Sequence, residues 1–143
     1  MSRVTVLHPP LRLSRDFIDY PWFTNIGARI ATTLFERRGW NVTLVDAFTM
    51  ADADLVIDGD GFWLGPPRST FLQTIPEDEQ DVILLVANPF LLSSSPSSRD
   101  WFEELLKELR KEKTRLLVVA EMAIDAMLIP EVDWSKRLEE GIG

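Results

Sequence analysis

VILLVA, from Val82 to Ala87, is the stretch of this 143-residue sequence that decides the fold. All six residues are apolar, so a strand built from them presents an apolar side chain on each of its two faces. This pattern is typical of a central strand in a parallel sheet, where helices cover both faces. We therefore predict an α/β domain with a mainly parallel sheet.

The first 45 residues predict a strand, a helix and a second strand. Arg3 to Leu7 is a short apolar run that two prolines stop. A helix follows, capped by Thr24 or Asn25 and running to about Arg38. Its predicted apolar stripe consists of Ile26, Ile30, Ala31, Leu34 and Phe35. Asn41 to Val45 is the second strand, and this spacing is typical of a right-handed parallel crossover.

The middle of the chain predicts a β-hairpin and a short helix. The hairpin is DLVIDGDGFWLG, from Asp54 to Gly65, which turns at Gly59 to Gly61. A short helical segment lies between Pro67 and Pro76, where Phe71, Leu72 and Ile75 share one face.

The region after VILLVA predicts a last helix and a fourth strand. Ser97 or Ser98 is expected to cap the helix, with Asp100 in its first turn. The predicted buried stripe consists of Trp101, Phe102, Leu105, Leu106 and Leu109. Arg115 to Ala120 is the fourth strand, and no fifth strand is predicted after it. We expect strand order 2-1-3-4 in a sheet of doubly wound, flavodoxin-like type.

Composition bounds the class of protein. With 143 residues, 45% of them hydrophobic, the chain is long enough for one core and too short for two ordinary domains, so we predict a single domain over residues 1–143. The absence of cysteine excludes disulfides and iron–sulfur ligation by this chain and favours a cytoplasmic protein. A net charge of −8 opposes nucleic-acid binding. The longest apolar run is far below the roughly 20 residues of a membrane span.

The loop after the first strand, HPPLRLSRDFIDYPWFTNIG from His8 to Gly27, lies where α/β proteins place ligands. His8 suits ligation or proton transfer, although a histidine beside two prolines is more often a structural turn residue. Four aromatic residues of this loop suit either contact with a ligand or packing of the loop against the sheet: Phe17, Tyr20, Trp22 and Phe23. Asn88, Pro89 and Phe90 leave the third strand at the same edge, where Asn88 suits either a ligand contact or a strand cap.

Five short motifs follow one another along the first 47 residues: HPP at His8 to Pro10, DYP at Asp19 to Pro21, IG at Ile26 and Gly27, RRGWNV at Arg37 to Val42, and VDA at Val45 to Ala47. In this order they resemble the cobalamin-binding-type domain at the N-terminus of many radical S-adenosylmethionine enzymes. That family commonly has Asn-Pro-Pro after strand one, Tyr-Pro in the loop, Leu-Gly at the helix start and Val-Asp after strand two. Each motif alone is a weak signal, and the resemblance rests on the order in which the motifs occur.

The resemblance implies a three-layer, Rossmann-like domain with cobalamin as its cofactor. It implies a downstream barrel as partner, which would hold the [4Fe-4S] cluster and S-adenosylmethionine, because this chain has no cysteine. No catalytic residue or metal ligand is expected in the chain itself. The residues expected to contact the cofactor are His8, Pro9, Pro10, Tyr20, Pro21, Gly27, Asn88, Pro89, Phe90, Glu121 and Met122.

The sequence also departs from this family. It lacks the Asp-x-His-x-x-Gly motif that supplies a histidine to cobalt, and His8 is its only histidine. After strand four the family usually has Gly-Gly-Pro-His, whereas this chain has Ala120, Glu121, Met122 and Ala123. Glycine there would let the backbone approach a bulky ligand closely. We therefore expect a diverged domain, and the lack of a fifth strand favours the N-terminal piece of a longer enzyme.

The same residues argue against several other functions. A receiver domain needs a carboxylate pair after strand one, and a flavodoxin needs a hydroxyl-rich phosphate loop there, whereas this chain has His8 and two prolines. Hydrolase triads fail because the chain has one histidine, no cysteine and no G-x-S-x-G elbow. The remaining alternative is a non-catalytic interaction module whose aromatic loop docks another domain or subunit.

Overall fold

The computed structural model describes residues 2–14, 26–87, 96–111 and 114–121. Its strands are β1 (Arg3–His8), β2 (Leu11–Ser14), β3 (Asn41–Asp46), β4 (Asp54–Asp58), β5 (Gly61–Gly65), β6 (Gln80–Ala87) and β7 (Thr114–Glu121). Its helices are α1 (Ile26–Arg37), α2 (Arg68–Gln73) and α3 (Pro96–Arg110). A single 3-10 turn, Ala47–Thr49, follows β3.

Four strands form a parallel sheet in the order β3-β1-β6-β7. This is the predicted order 2-1-3-4 of the parallel strands, and every neighbouring pair runs parallel. β1 and β3 each continue one residue beyond the predicted ends, because His8 pairs in register with Asp46. The α/β class and the mainly parallel sheet are therefore confirmed.

The two faces of the parallel sheet bury separate sets of side chains. One face packs against α1 through Val4, Val6, Ala28, Ala31, Phe35, Val82, Leu84, Val86 and Val118. The other includes Leu7, Ile83, Leu85 and Ala87, which pack with Trp101, Leu105 and Leu109 of α3. Alternate residues of β6 thus pack on opposite faces of the parallel sheet, as the uniformly apolar sequence of this strand predicted.

The predicted stripe of α1 is wrong at its first member. Ile26 is 52% exposed, whereas Ala28 is buried in its place beside Ala31 and Phe35. Ala28, Ala31 and Phe35 recur at intervals of three and four residues, so they lie on one side of the helix. After Arg37 the chain turns at Gly39, whose φ of 81° is a left-handed value that glycine adopts at little cost.

The predicted start of α3 is also corrected. The helix begins at Pro96, so Ser98 lies within it and Asp100 falls outside the first turn. The Ser98 hydroxyl donates a 2.7 Å hydrogen bond to the carbonyl oxygen of Arg12. Proline at the first helical position loses no helical hydrogen bond, because that N–H would have no partner within the helix.

A second sheet contains three antiparallel strands in the order β2-β5-β4. The hairpin of β4 and β5 confirms the prediction for Asp54 to Gly65, with Gly59 at a φ of 61° in its turn. The prediction of a long loop after the first strand is wrong at Leu11–Ser14, because this segment pairs with β5. β2 contributes Leu11 and Leu13 to the core on the α3 side of the parallel sheet.

Within the part of the chain that is described, no helix is both long and apolar enough to cross a lipid bilayer.

Candidate functional site

The centre of the parallel sheet contains a change of direction. β1 and β6 are neighbours, but the crossover through α1 leads outward from β1 to β3, whereas the crossover through α3 leads outward from β6 to β7. The two helices cover opposite faces of the sheet. In open α/β sheets, such a switch point creates a crevice outside the carboxyl ends of the two strands, where ligands bind. Here those ends are His8 and Ala87.

His8 forms a buried pair with Asp46 at this edge. The imidazole Nδ1 lies 2.9 Å from Oδ1 of Asp46, and the two side chains are 1% and 5% exposed. Because an ionised carboxylate can only accept hydrogen bonds, Nδ1 carries the proton and donates it. The pair joins the last residues of β1 and β3, which are partners in the strand register.

The turn after β3 completes the surroundings of this pair. Oδ1 of Asp46 also accepts a 3.0 Å hydrogen bond from the backbone N–H of Phe48, and the Asp46 carbonyl oxygen accepts one from the Thr49 hydroxyl. The ring of Phe48 packs edge-on against the His8 ring, with 4.6 Å between centroids. The turn therefore holds both members of the pair in place.

The charge of Asp46 is stabilised despite its burial. Burial opposes ionisation of the carboxyl group, but the hydrogen bond and electrostatic interaction with His8, the hydrogen bond from the Phe48 N–H and the charge of Arg29 together outweigh it. The net effect lowers the pKa of Asp46 below its ordinary value of 3.8.

The two prolines after His8 are buried, and Pro10 has a clear structural role. Its carbonyl oxygen accepts a 2.8 Å hydrogen bond from the indole Nε1 of Trp101 in α3. Its ring packs so closely against Gly65 that a Cβ there would lie 2.8 Å from the Cβ of Pro10. Pro10 thus connects the parallel sheet to the antiparallel sheet and to α3.

The other predicted site residues divide into two groups. Gly27 is buried in the first turn of α1, and Glu121 ends β7 beside Ala87, the last residue of β6. His8, Ala87 and Glu121 therefore all lie at the carboxyl edge of the sheet. The remaining predicted contacts lie outside the described residues: Tyr20, Pro21, Asn88, Pro89, Phe90 and Met122.

A second polar cluster was not predicted from the sequence. Oδ2 of Asp58 lies 3.2 Å from Nε of Arg12 and 3.4 Å from Nη2 of Arg68. Arg68 also binds Glu104 at 2.7 Å and stacks over Trp63, with 4.8 Å from the guanidinium carbon to the ring centroid. The cluster links β2, β4, α2 and α3. No local signal pointed to it, because the charges come from four separate segments.

These arrangements set the chemistry available at the site. His8 is almost fully buried and directs Nδ1 to Asp46. The pair therefore suits a structural role, holding the ends of β1 and β3 together, rather than ligation of cobalt from the surface. Among the described residues, no three acidic or histidine side chains are grouped so as to hold a metal ion. Comparison of the sequence with protein-family models, and of the chain with curated proteins and solved structures, returned no match.

Proposed function

We propose that this chain is a diverged cobalamin-binding-like domain of flavodoxin-like type, which belongs to a radical S-adenosylmethionine enzyme and has no catalytic residue of its own. The observation that carries the proposal is the position of the HPP segment. Its histidine ends β1 and its prolines follow directly, at the switch point of a four-stranded parallel sheet, where doubly wound proteins bind their cofactors. The order of the motifs from His8 to Ala47 supports the assignment to this family.

In this proposal the ligand lies against the carboxyl ends of the central strands, and His8 supports the edge without coordinating cobalt. The burial of the His8 ring and its bond to Asp46 favour that division of roles. Cobalamin would supply the corrinoid chemistry, and this chain would bind it and present it to the downstream barrel. Glu121 ends β7 at the same edge, where the family has glycine, so we expect weak binding.

Equilibrium dialysis against hydroxocobalamin tests the proposal, with the bound fraction read from its visible absorbance. We expect saturable retention by the full chain, and tighter retention by Glu121→Gly because the smaller residue admits the ligand. Glu77→Gly is the matched control: it removes an exposed acid before β6, at the opposite edge of the sheet. No retention by either the wild type or Glu121→Gly at millimolar cobalamin would refute cobalamin binding.

The alternative, an interaction module that docks through the aromatic loop, rests on residues outside the described ranges. Phe17, Tyr20, Trp22 and Phe23 all belong to that loop. A chain that retains no cobalamin but binds the downstream part of its parent enzyme would favour this alternative.

A further inference from the structure

The outer edge of β4 is exposed and apolar. β4 lies at one side of the antiparallel sheet, and none of the other described strands pairs with its outer edge. Val56 and Ile57 are 46% and 71% exposed, and Ile26 is the only other large hydrophobic residue in the described ranges that is comparably exposed. Edge strands of soluble proteins are usually protected by charged side chains, proline or a bulge because they otherwise pair with other chains. β4 has an aspartate at each end, but the three residues between them are apolar and include no lysine or proline.

The hairpin register fixes which backbone groups face outward. Asp58 pairs with Gly61 across a two-residue loop, and Val56 pairs with Trp63. In such a hairpin the closing pair exchanges both hydrogen bonds, and every second residue does the same. Asp54, Val56 and Asp58 therefore direct their N–H and C=O groups to β5. Leu55 and Ile57 direct theirs outward.

An independent contact agrees with this register. The N–H of Leu55 donates a 2.8 Å hydrogen bond to the carboxylate of Asp54, as expected of a group that does not face β5. Ile57 has no such side chain over its N–H among the contacts of the described residues. The outer edge thus offers the N–H and C=O of Ile57, with two exposed aliphatic side chains beside them.

Charge decides what kind of chain fits this edge. Asp52, Asp54 and Asp60 are exposed around it, and the whole chain carries a net charge of −8. Asp60 also lies 3.9 Å from Nη2 of Arg12. If two copies of β4 paired antiparallel about Val56, Asp54 would face Asp58 of the other copy. If they paired about Ile57, Asp54 would face Asp60. Like charges directly opposite each other destabilise a strand pair, so the second register disfavours a second copy. In the first register Asp58 is compensated by Arg12 and Arg68, and the repulsion comes from the net charge of −8 that each copy carries.

We propose that the outer edge of β4 binds an extended segment of a partner protein, which adds to the antiparallel sheet as a fourth strand. The segment has β-branched or other apolar side chains at its centre and lysine or arginine on either side. Strand addition supplies main-chain hydrogen bonds, and the flanking cations meet the exposed aspartates. Binding at this edge does not depend on cobalamin.

Fluorescence anisotropy of a labelled peptide, Lys-Lys-Val-Ile-Val-Lys-Lys, tests this proposal on the full chain. We expect it to bind the wild type, to weaken as salt is raised, and to bind more tightly than the matched peptide Glu-Glu-Val-Ile-Val-Glu-Glu. Equal binding of the two peptides would overturn the charge preference.

Two proline variants separate the edge from the fold. Ile57→Pro removes an outward N–H and leaves every hairpin hydrogen bond in place, so it should weaken peptide binding about tenfold without lowering Tm. Val56→Pro removes an N–H that faces β5 and should lower Tm. Ile57→Lys, at an exposed site, should also fold and should repel the basic peptide.

Three results would overturn the proposal. Unchanged peptide binding by both Ile57→Pro and Ile57→Lys would show that the edge of β4 is not the binding surface. A lower Tm for Ile57→Pro than for Val56→Pro would show that the backbone directions are reversed. A wild-type dimer in analytical ultracentrifugation that Ile57→Pro abolishes would identify a second copy as the occupant.

Discussion

Replacing Asp46 with alanine tests the buried pair at the carboxyl edge most directly. Oδ1 of Asp46 accepts two hydrogen bonds, from Nδ1 of His8 at 2.9 Å and from the N–H of Phe48 at 3.0 Å. Removing the acceptor takes this partner away from the buried His8 donor, at a cost of about 1–3 kcal/mol. Loss of the cap on the following turn adds about 1 kcal/mol. We therefore expect Asp46→Ala to lower the free energy of unfolding by about 2–4 kcal/mol.

Asp46→Asn is the matched control, because it keeps the shape of the side chain and one acceptor oxygen. That oxygen has two lone pairs, so it can still accept from both His8 and Phe48. Only the charge is lost, and we expect a cost of about 1 kcal/mol at neutral pH.

The wild type and Asp46→Asn should differ in how their stability depends on pH. The pKa of Asp46 is lower in the folded protein than its ordinary value of 3.8, so the unfolded chain binds the proton more readily. The stability that this carboxylate contributes is therefore fully present above pH 3.8 and is lost as the pH falls through the lower, folded-state pKa. The stability difference between the wild type and Asp46→Asn should shrink over that acidic range.

Urea unfolding, followed by tryptophan fluorescence and by circular dichroism, measures these differences in the free energy of unfolding. The assay is run at neutral pH and repeated at acidic pH values. A cost below about 0.5 kcal/mol for Asp46→Ala, which is the range of ordinary surface changes, would refute the reasoning. So would equal costs for the alanine and asparagine variants, since the hydrogen bonds would then contribute nothing.

Two further substitutions test how the antiparallel sheet joins the core. Gly61→Ala should lower Tm and loosen β2, because the added Cβ would collide with the carbonyl oxygen of Leu13; amide hydrogen exchange at Leu13 reports the loss, and unchanged protection there would contradict the predicted collision. Trp101→Phe should cost about 1–3 kcal/mol in urea unfolding, because the buried carbonyl of Pro10 loses its indole donor. A cost no larger than that of an exposed substitution would show that this bond does not stabilise the fold.

Much of the fold follows from local pattern. The uniformly apolar run of β6 predicted a central strand, and the βαβ spacing of the first 45 residues predicted a parallel sheet. The turn at Gly59 predicted the hairpin. These features are set by residues close together in the chain, where periodicity and turn chemistry act. Whether the sheet belongs to a cobalamin-binding domain stays a prediction.

The sequence placed His8 at the carboxyl end of the first strand, since the prolines that follow must end it. It did not reveal Asp46 as the partner, because the two lie 38 residues apart and meet only when β1 and β3 pair in register. A general signal existed: residues that end adjacent parallel strands meet at one edge. It required the strand ends to be known to a single residue, and the predicted ends fell one residue short.

By itself, the sequence determined most of the strands and helices and most of their apolar faces, because these depend on the order of neighbouring side chains. Only the tertiary structure decided that Leu11–Ser14 is a strand, that Ser98 bonds to Arg12, and that Asp58 lies between Arg12 and Arg68. Each of these joins residues far apart in the chain. Such contacts form only where folding has brought the partners together. The pattern of neighbouring residues does not show which distant residues will meet.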